Sequence, residues 1–328
     1  MSAYHVPVLV DAVVSLLTPT PPGVWVDGTM GGGGHTAALV EAARGERVVV
    51  GIDRDRDALA AAEARLGSDP LRSTPGGANV RFVHGAFSEL GAHVDRAIGP
   101  DAKVAGILLD LGVSSHQLDV PARGFAWRHA SAPLDMRMDV SSGKPTAREL
   151  IATLEVPELA RVLREFGEVR DAGRLADRMK AAEAAGQLST AGELVRVVEG
   201  GTNPAARRLH VHPATLIFQA LRIAVNDELG ELERAIASAA TRLVPGGRLV
   251  VISYHSLEDR RVKHAFVEGE RGPARPAKLP PPSDWRPSWE VVTRHAIVPS
   301  EAEIAANPRA RSAKLRAAAR AGGVRGAA

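Results

Sequence analysis

A glycine run and the acid that follows it are the residues of this chain best placed to do chemistry. The run is Asp27-Gly28-Thr29-Met30-Gly31-Gly32-Gly33-Gly34-His35, set between the apolar Val24-Trp25-Val26 and a helical pattern over Thr36–Ala43. That order reads as strand, glycine turn and helix start. Four consecutive glycines remove every side chain from the turn, so a ligand can lie against the backbone and face the helix amides. A second apolar stretch ends at Asp53, about twenty residues on, where doubly wound folds place an acid on ribose hydroxyls. The competing reading is a plain flexible loop. Strand, turn, helix, strand and acid in this order favour a site for an adenosine-containing cofactor.

The turn is a poor dinucleotide fingerprint, because Thr36 stands where G-x-G-x-x-G counted from Gly31 needs glycine or alanine. It fits the more variable glycine turn of S-adenosylmethionine enzymes better. A further strand ends at Asp110 and runs into Leu111-Gly112-Val113-Ser114-Ser115-His116-Gln117-Leu118-Asp119. Ligands of open α/β sheets bind beyond the carboxyl ends of the strands, so Asp110, Ser114, Ser115 and Gln117 are expected in the same crevice. The bland alternative is that Asp110 only caps the next turn. Next come Arg123-Gly124-Phe125-Ala126-Trp127 and Pro133-Leu134-Asp135-Met136-Arg137-Met138-Asp139. Aromatics, arginines and acids in one loop suit a planar polar substrate, with Phe125 or Trp127 as stacking platforms; aromatics packing the loop onto the sheet would look the same. The last strand leads into Ser253-Tyr254-His255-Ser256-Leu257-Glu258-Asp259-Arg260-Arg261, which lacks the G-x-S-x-G of a nucleophile elbow. His35, His210, His212 and His255 match no zinc spacing, and no metal is expected.

The elements that must position these residues alternate from the start. Strands are expected at Val24–Asp27, Arg47–Asp53, Val80–His84 and Val104–Asp110, with helices at Thr36–Ala43, Asp57–Leu66 and Phe87–Ile98. This predicts an α/β fold, a doubly wound, mostly parallel sheet. The rhythm breaks from about Pro145 to His210, where only helical segments appear: Ala147–Leu154, Pro157–Phe166, Asp171–Ala185 and Thr190–Val198. Arg161, Arg164, Arg170, Arg174, Arg178, Lys180, Arg196, Arg207 and Arg208 make this stretch basic in places, either as a solvated surface or as a nucleic-acid face. Pro213–Leu243 reads as a long helix with a break near Asn226, Pro245-Gly246-Gly247 as a turn, Arg248–Tyr254 as a strand and Leu257–Glu268 as a helix. Ser68–Ala78 and Gly269–Pro287 read as loops, Trp289–Val298 as a late strand. The expected organisation is a discontinuous domain over 1–140 and 211–300, an inserted all-helical substrate-recognition domain over 141–210, and a basic tail over 301–328.

The chain has 328 residues, 45% of them hydrophobic, enough for a sizeable core. No apolar run approaches the roughly twenty residues of a membrane span. The first seventeen residues carry Asp11 and no basic segment, unlike a secretory signal. The absence of cysteine excludes disulfides and thiolate metal sites, and a cytoplasmic location is the simplest expectation. The formal charge is +3. An isoelectric point near 9.5 hints at a polyanionic partner, although a GC-rich genome would give the same alanine and arginine bias.

Taken together, the motifs become specific. D-G-T-x-G-x-G-G-H, D-L-G-V-S-S-x-Q-L-D, R-G-F, P-L-D-M-R-M-D, H-P-A-T, F-Q-A-L-R-I-x-V-N, P-G-G-R-L, H-S-L-E-D-R and N-P-R-A-R-S-A-K-L-R occur in this order. Nearly end to end, the chain resembles the bacterial ribosomal RNA small subunit methyltransferase H family, also called MraW. The resemblance implies a class I (Rossmann-like) methyltransferase that uses S-adenosylmethionine to methylate N4 of a cytidine in the decoding region of 16S ribosomal RNA. Its partner would be that RNA or the small ribosomal subunit, with no membrane involved; a homodimer remains an open option. Carried over by position, the family's cofactor residues fall on Gly33, Gly34, His35, Asp53, Phe87, Asp110 and Gln117. For catalysis the candidates are Asp110, Ser114, Ser115, Asp135 and His255. Two departures are visible: His116 stands where proline is frequent, beside Gln117, and Tyr254 where phenylalanine is common.

Three rival readings share part of this pattern. A nicotinamide oxidoreductase would share the glycine turn and Asp53 but gives no reason for D-L-G-V-S-S. A DNA cytosine-N4 methyltransferase would carry S/D-P-P-Y where this chain has Asp110-Leu111-Gly112-Val113. A non-enzymatic RNA-binding module would need no glycine turn with acids at several strand ends.

Overall fold

The computed structural model describes residues 7–44, 47–67, 79–201, 212–272 and 285–322. Segment 68–78, Arg207, Arg208 and His210, and most of 269–287 lie outside them. The chain divides into two compact units, Met1–Gly112 with Gly230–Ala328, and Val113–Leu229. Among the described residues no helix is long and apolar enough to cross a membrane.

The first unit is built on a seven-stranded sheet. Its strands are β1 (Val24–Asp27), β2 (Val48–Asp53), β3 (Asn79–His84), β4 (Val104–Asp110), β5 (Leu243–Ser253), β6 (Trp289–Val291) and β7 (Lys314–Arg320). Their spatial order is β3-β2-β1-β4-β5-β7-β6. The first five run parallel, and β7 is antiparallel to both β5 and β6. The α/β, mostly parallel expectation therefore holds. Trp25, Val49, Leu108 and Val250 face one apolar core, while Val26, Val50, Ile107 and Val251 face the other. This period of two, buried on both faces, explains why the strands read as unbroken apolar runs. Helices α1 (Val10–Leu17), α2 (Gly34–Ala43) and α3 (Arg56–Leu66) contribute to the first core, and α4 (Leu90–Ala97) to the second. Chain order reverses between β1 and β4, which sets their carboxyl ends side by side at a topological switch point.

The second unit is mostly helical. It contains α5 (Ser115–Asp119), α6 (Ala147–Thr153), α7 (Val156–Gly167), α8 (Ala172–Ala184), α9 (Ala191–Gly201) and α10 (Pro213–Asn226). The sequence pattern places a helical span at 141–210, whereas this unit runs from 113 to 229. The wider bounds have a packing cause. Phe125, Leu134, Met136 and Met138 from the preceding loop share one core with Leu159, Leu163, Leu175, Ile217 and Leu221. Buried Asn226 fixes that loop, donating to Met136 O (2.7 Å) and accepting from Met138 N (2.8 Å).

Between α10 and α11 (Glu228–Arg242) the break expected near Asn226 falls at Asp227, whose φ is 52°. Pro245-Gly246-Gly247 lies within β5, near a register shift against β4. The strand expected over 289–298 is limited to Trp289–Val291. The largest difference is at the C-terminal end, where a basic tail is expected over 301–328. Instead α13 (Glu301–Ala306) is followed by β7, an internal strand. Leu315 and Ala317 face one core and Ala318 the other. Two of its basic groups pair with Asp259: Arg316 Nε at 2.6 Å and Lys314 Nζ at 3.5 Å. Alanine-rich sequence carries no local strand preference; the six-residue pairing with β5 imposes it. Leu315→Ala should therefore destabilise the fold by about 2–5 kcal/mol, the range for a fully buried leucine. Urea denaturation checks this, and an unchanged midpoint would mean that the segment is a dispensable tail.

Candidate active site

The glycine turn is held by two carboxylates. Asp27, at the end of β1, is fully buried and accepts from Thr36 Oγ1 (2.7 Å) and from Thr29 N (3.2 Å). Burial pushes its carboxyl above the usual value, opposed by His35 and by the Thr36 and Thr29 hydrogen bonds. Asp53, at the end of β2, accepts from Gly31 N (2.7 Å) and Asp55 N (2.8 Å). Burial raises it to about 6, despite those two donors. One amide of the glycine run is thus already paired with the acid expected to hold ribose.

The glycines serve different ends. Gly33 has φ +76°, and a Cβ there would stand 3.1 Å from Leu66 Cδ1 and 3.3 Å from Ala62 Cβ of α3. Its role is close helix packing as much as ligand access. Gly31, at φ +53°, would put a Cβ into nearly open space.

At the end of β4, Asp110 N donates to Thr29 Oγ1 (2.6 Å). Asp110 Oδ1 accepts from Tyr254 OH at 2.9 Å, and Oδ2 lies 3.5 Å from His35 Nδ1. His35 Nε2 lies 2.8 Å from Val8 O. Burial, then the charge of Asp110, pushes the Tyr254 phenol far above its ordinary value, so it stays a donor. Phe87 follows β3 and carries the Arg54 guanidinium 5.5 Å from its ring centroid. His255 precedes α12 (Ser256–Arg271), and its Nε2 lies 3.1 Å from Glu258 Oε1. The first unit therefore gathers Gly33, Gly34, His35, Asp53, Phe87, Asp110 and His255 at the carboxyl ends of its parallel strands.

The remaining candidates lie in the second unit. Ser114 and Gln117 cap α5 reciprocally: Gln117 N donates to Ser114 Oγ (3.2 Å), and Ser114 N to Gln117 Oε1 (3.0 Å). The turn keeps this capping box with His116 in place of proline. Ser115 is buried in the first turn of α5. Asp135 accepts a fork from Arg137, with Nε and Nη2 each at 2.8 Å. Burial works against its ionisation, but the Arg137 hydrogen bonds hold the carboxyl below its ordinary value. Of the basic residues, Arg161 pairs with Glu165 and Lys180 donates to Ile151 O and Ala152 O, while Arg164, Arg170 and Arg174 are exposed. Trp127 stacks on His212 with centroids 4.5 Å apart, so one of its faces is covered.

Sequence reasoning missed the work of Thr29, Thr36 and Tyr254. The signal for the threonines was present, because the D-G-T spacing puts a hydroxyl between two strand ends. Nothing local signals that Tyr254 reaches Asp110, 144 residues away.

The sequence profile described as the MraW methylase family matches residues 2–321. A protein of Heliobacterium modesticaldum named ribosomal RNA small subunit methyltransferase H is 47% identical over 319 residues, covering 97% of this chain and 99% of that protein. One of the same name from Geotalea uraniireducens is 45% identical over 316 residues, covering 96% and 98%. A third, from Geobacter sulfurreducens, is 46% identical over 319 residues, covering 97% and 99%. With a match that runs almost from end to end, this chain belongs to the MraW methylase family.

Proposed function

We propose that this chain transfers the methyl group of S-adenosylmethionine to N4 of a cytidine in the decoding region of 16S ribosomal RNA. The observation that carries this is the near full-length identity to proteins named ribosomal RNA small subunit methyltransferase H. The strand ends have a donor set that fits the cofactor. Asp53 would accept the ribose hydroxyls, and Phe87 would cover one face of the adenine. The turn at Gly33, Gly34 and His35, with Asp110, would hold the methionine end. Gln117 enters by the family resemblance alone. The bound cofactor supplies a methyl already activated by the sulfonium.

Cytosine N4 is a poor nucleophile, because its lone pair is delocalised into the ring. The protein's main task is then placement of N4 in line behind the methyl. The target must be unpaired or leave its stack before N4 can reach that position. Residue content favours N4 over other atoms. Carbon-5 methylation normally activates the ring with a cysteine, and this chain has none. Ribose methylation needs a base able to take a hydroxyl proton, often lysine, and the lysine at this end of the sheet, Lys314 opposite Ser253, is held in an ion pair with Asp259 at 3.5 Å. Nucleoside mass spectrometry after reaction with labelled cofactor should place the label in N4-methylcytidine. Label in 5-methylcytidine or 2′-O-methyl nucleosides alone refutes the assignment.

The Asp53 role has a signed pH dependence. Its carboxyl, raised to about 6 by burial, must be ionised to accept both ribose hydroxyls. Affinity for S-adenosylmethionine should fall as pH drops through 6, by up to about tenfold per unit. Asp53→Asn should lack that component. Asp53→Ala should lose roughly ten- to a hundredfold in affinity at neutral pH, from about 1.5–3 kcal/mol of charge-assisted hydrogen bonding. Calorimetry across pH 5–8 checks both; a flat wild-type profile with a fully binding alanine variant would remove Asp53 from the site.

The exposed arginines of the second unit are proposed to hold RNA phosphates. Replacing Arg164, Arg170 and Arg174 with alanine should weaken RNA binding and lower its salt slope by about 0.7–0.9 for each phosphate left without its arginine. Cofactor affinity should not change. Filter binding over a salt series measures this, and an unaltered slope would return these residues to an ordinary solvated surface.

A further inference from the structure

We infer that His255 takes the proton from the exocyclic nitrogen and that Glu258 positions it to do so. This rests on the methyl-transfer reading above and names the group which that reading leaves open. The other candidates are already engaged. Asp110 has the Tyr254 hydroxyl on one oxygen and the His35 ring beside the other. Ser114 Oγ caps its own helix, and both oxygens of Asp135 are held in the Arg137 fork. Ser115 has a partner of its own.

His255 differs from all of these. Its side chain is 12% exposed, and its ring stands at the Glu258 amide in a capping box, but both ring nitrogens are shielded and neither makes a well-aligned hydrogen bond among the described residues. Shielded, unmatched polar atoms in a folded site call for an occupant. Nε2 faces Glu258 Oε1 at 3.1 Å, close enough for an ion pair but out of line for a hydrogen bond. Glu258 cannot turn away. It is 2% exposed, and its Oε2 accepts from Tyr254 N (2.8 Å) and His255 N (3.3 Å). A carboxylate fixed opposite Nε2 assigns the ring proton to that nitrogen and leaves the Nδ1 lone pair as the base. This is the usual logic of a base oriented by a third group.

The place fits the task. His255 lies two residues past the end of β5, the strand beside β4, and Tyr254 between them bonds Asp110. The step balances. The N4 lone pair bonds to the methyl carbon while the carbon–sulfur bond breaks and its electrons stay on sulfur, giving S-adenosylhomocysteine. The N4–H electrons return to nitrogen as the proton passes to His255 Nδ1, and solvent takes it from the imidazolium afterwards.

The test uses the full chain, labelled S-adenosylmethionine and small-subunit ribosomal RNA. His255→Ala and His255→Gln should each lower kcat by about 10²–10⁴, with dissociation constants for cofactor and RNA unchanged. Added imidazoles should restore turnover to His255→Ala, increasingly with their basicity, and leave wild type unaffected. If His255→Ala does not fold, kcat of the glutamine variant decides. The inference is overturned if a folded variant keeps wild-type kcat, if the loss lies wholly in binding, or if no imidazole restores turnover. It is also overturned if chelation abolishes wild-type turnover and a divalent cation restores it, since His255 and Glu258 would then be metal ligands. Should wild type form N4-methylcytidine while His255→Ala stays fully active, only this inference fails. Should wild type label another atom, the methyl-transfer reading fails first.

Discussion

A carboxylate with no exposed surface sits at the end of β1, and the glycine turn is organised around it. Asp27 binds Thr29 N just after the strand and Thr36 Oγ1 in the first turn of α2, so one side chain fixes both ends of the run. The constraint then propagates. Thr29, held by its amide, presents its hydroxyl to Asp110 N and so ties the end of β1 to the end of β4. Gly31, inside the run, donates to Asp53 and ties the turn to β2. Four glycines would otherwise be the most mobile stretch of the chain. Here they are pinned at both ends and in the middle, which turns backbone freedom into a preformed surface.

That arrangement concentrates negative charge. Asp27, Asp53 and Asp110 end three neighbouring parallel strands, and the Asp27 and Asp110 charges oppose each other. Burial raises Asp27 and Asp53, so the fold works against their ionisation. For Asp53 the sign is definite. A value of about 6 against an ordinary 3.8 means that ionised Asp53 destabilises the fold at neutral pH, a penalty that fades on acidification. A ligand with a sulfonium and an ammonium, as in the proposed reaction, would relieve this repulsion. Its ribose hydroxyls would supply the donors that burial took away.

Sequence legibility followed locality. β1 and β4 were readable to the residue, because both faces of each strand are buried and the run stays apolar throughout. The carboxylates at their ends were equally legible, since the switch-point rule names positions rather than contacts. β7 was not, because Lys-Leu-Arg-Ala-Ala-Ala-Arg becomes a strand only by pairing with β5 about 65 residues earlier. The extent of the helical unit was hidden for the same reason. Asn226 anchors a loop about 90 residues away, and Arg123 donates to Met138 O at 2.8 Å, contacts with no periodic signature. Tyr254 looked like a minor departure from phenylalanine, yet its hydroxyl gives Asp110 a hydrogen bond that phenylalanine could not.

That last difference bears on how the carboxylates divide their tasks. A carboxylate with a buried phenol on one oxygen and an imidazole near the other has a fixed plane and both oxygens engaged. Such a group suits steady electrostatic support of a bound cation better than repeated uptake of a proton. Asp53, paired to two backbone amides, is equally immobile. The strand-end acids thus behave as a rigid preorganised field that fixes the bound cofactor for in-line transfer. Proton removal then falls to a side chain outside that field, and it can be a weak base, because N4 becomes acidic only as its new bond forms.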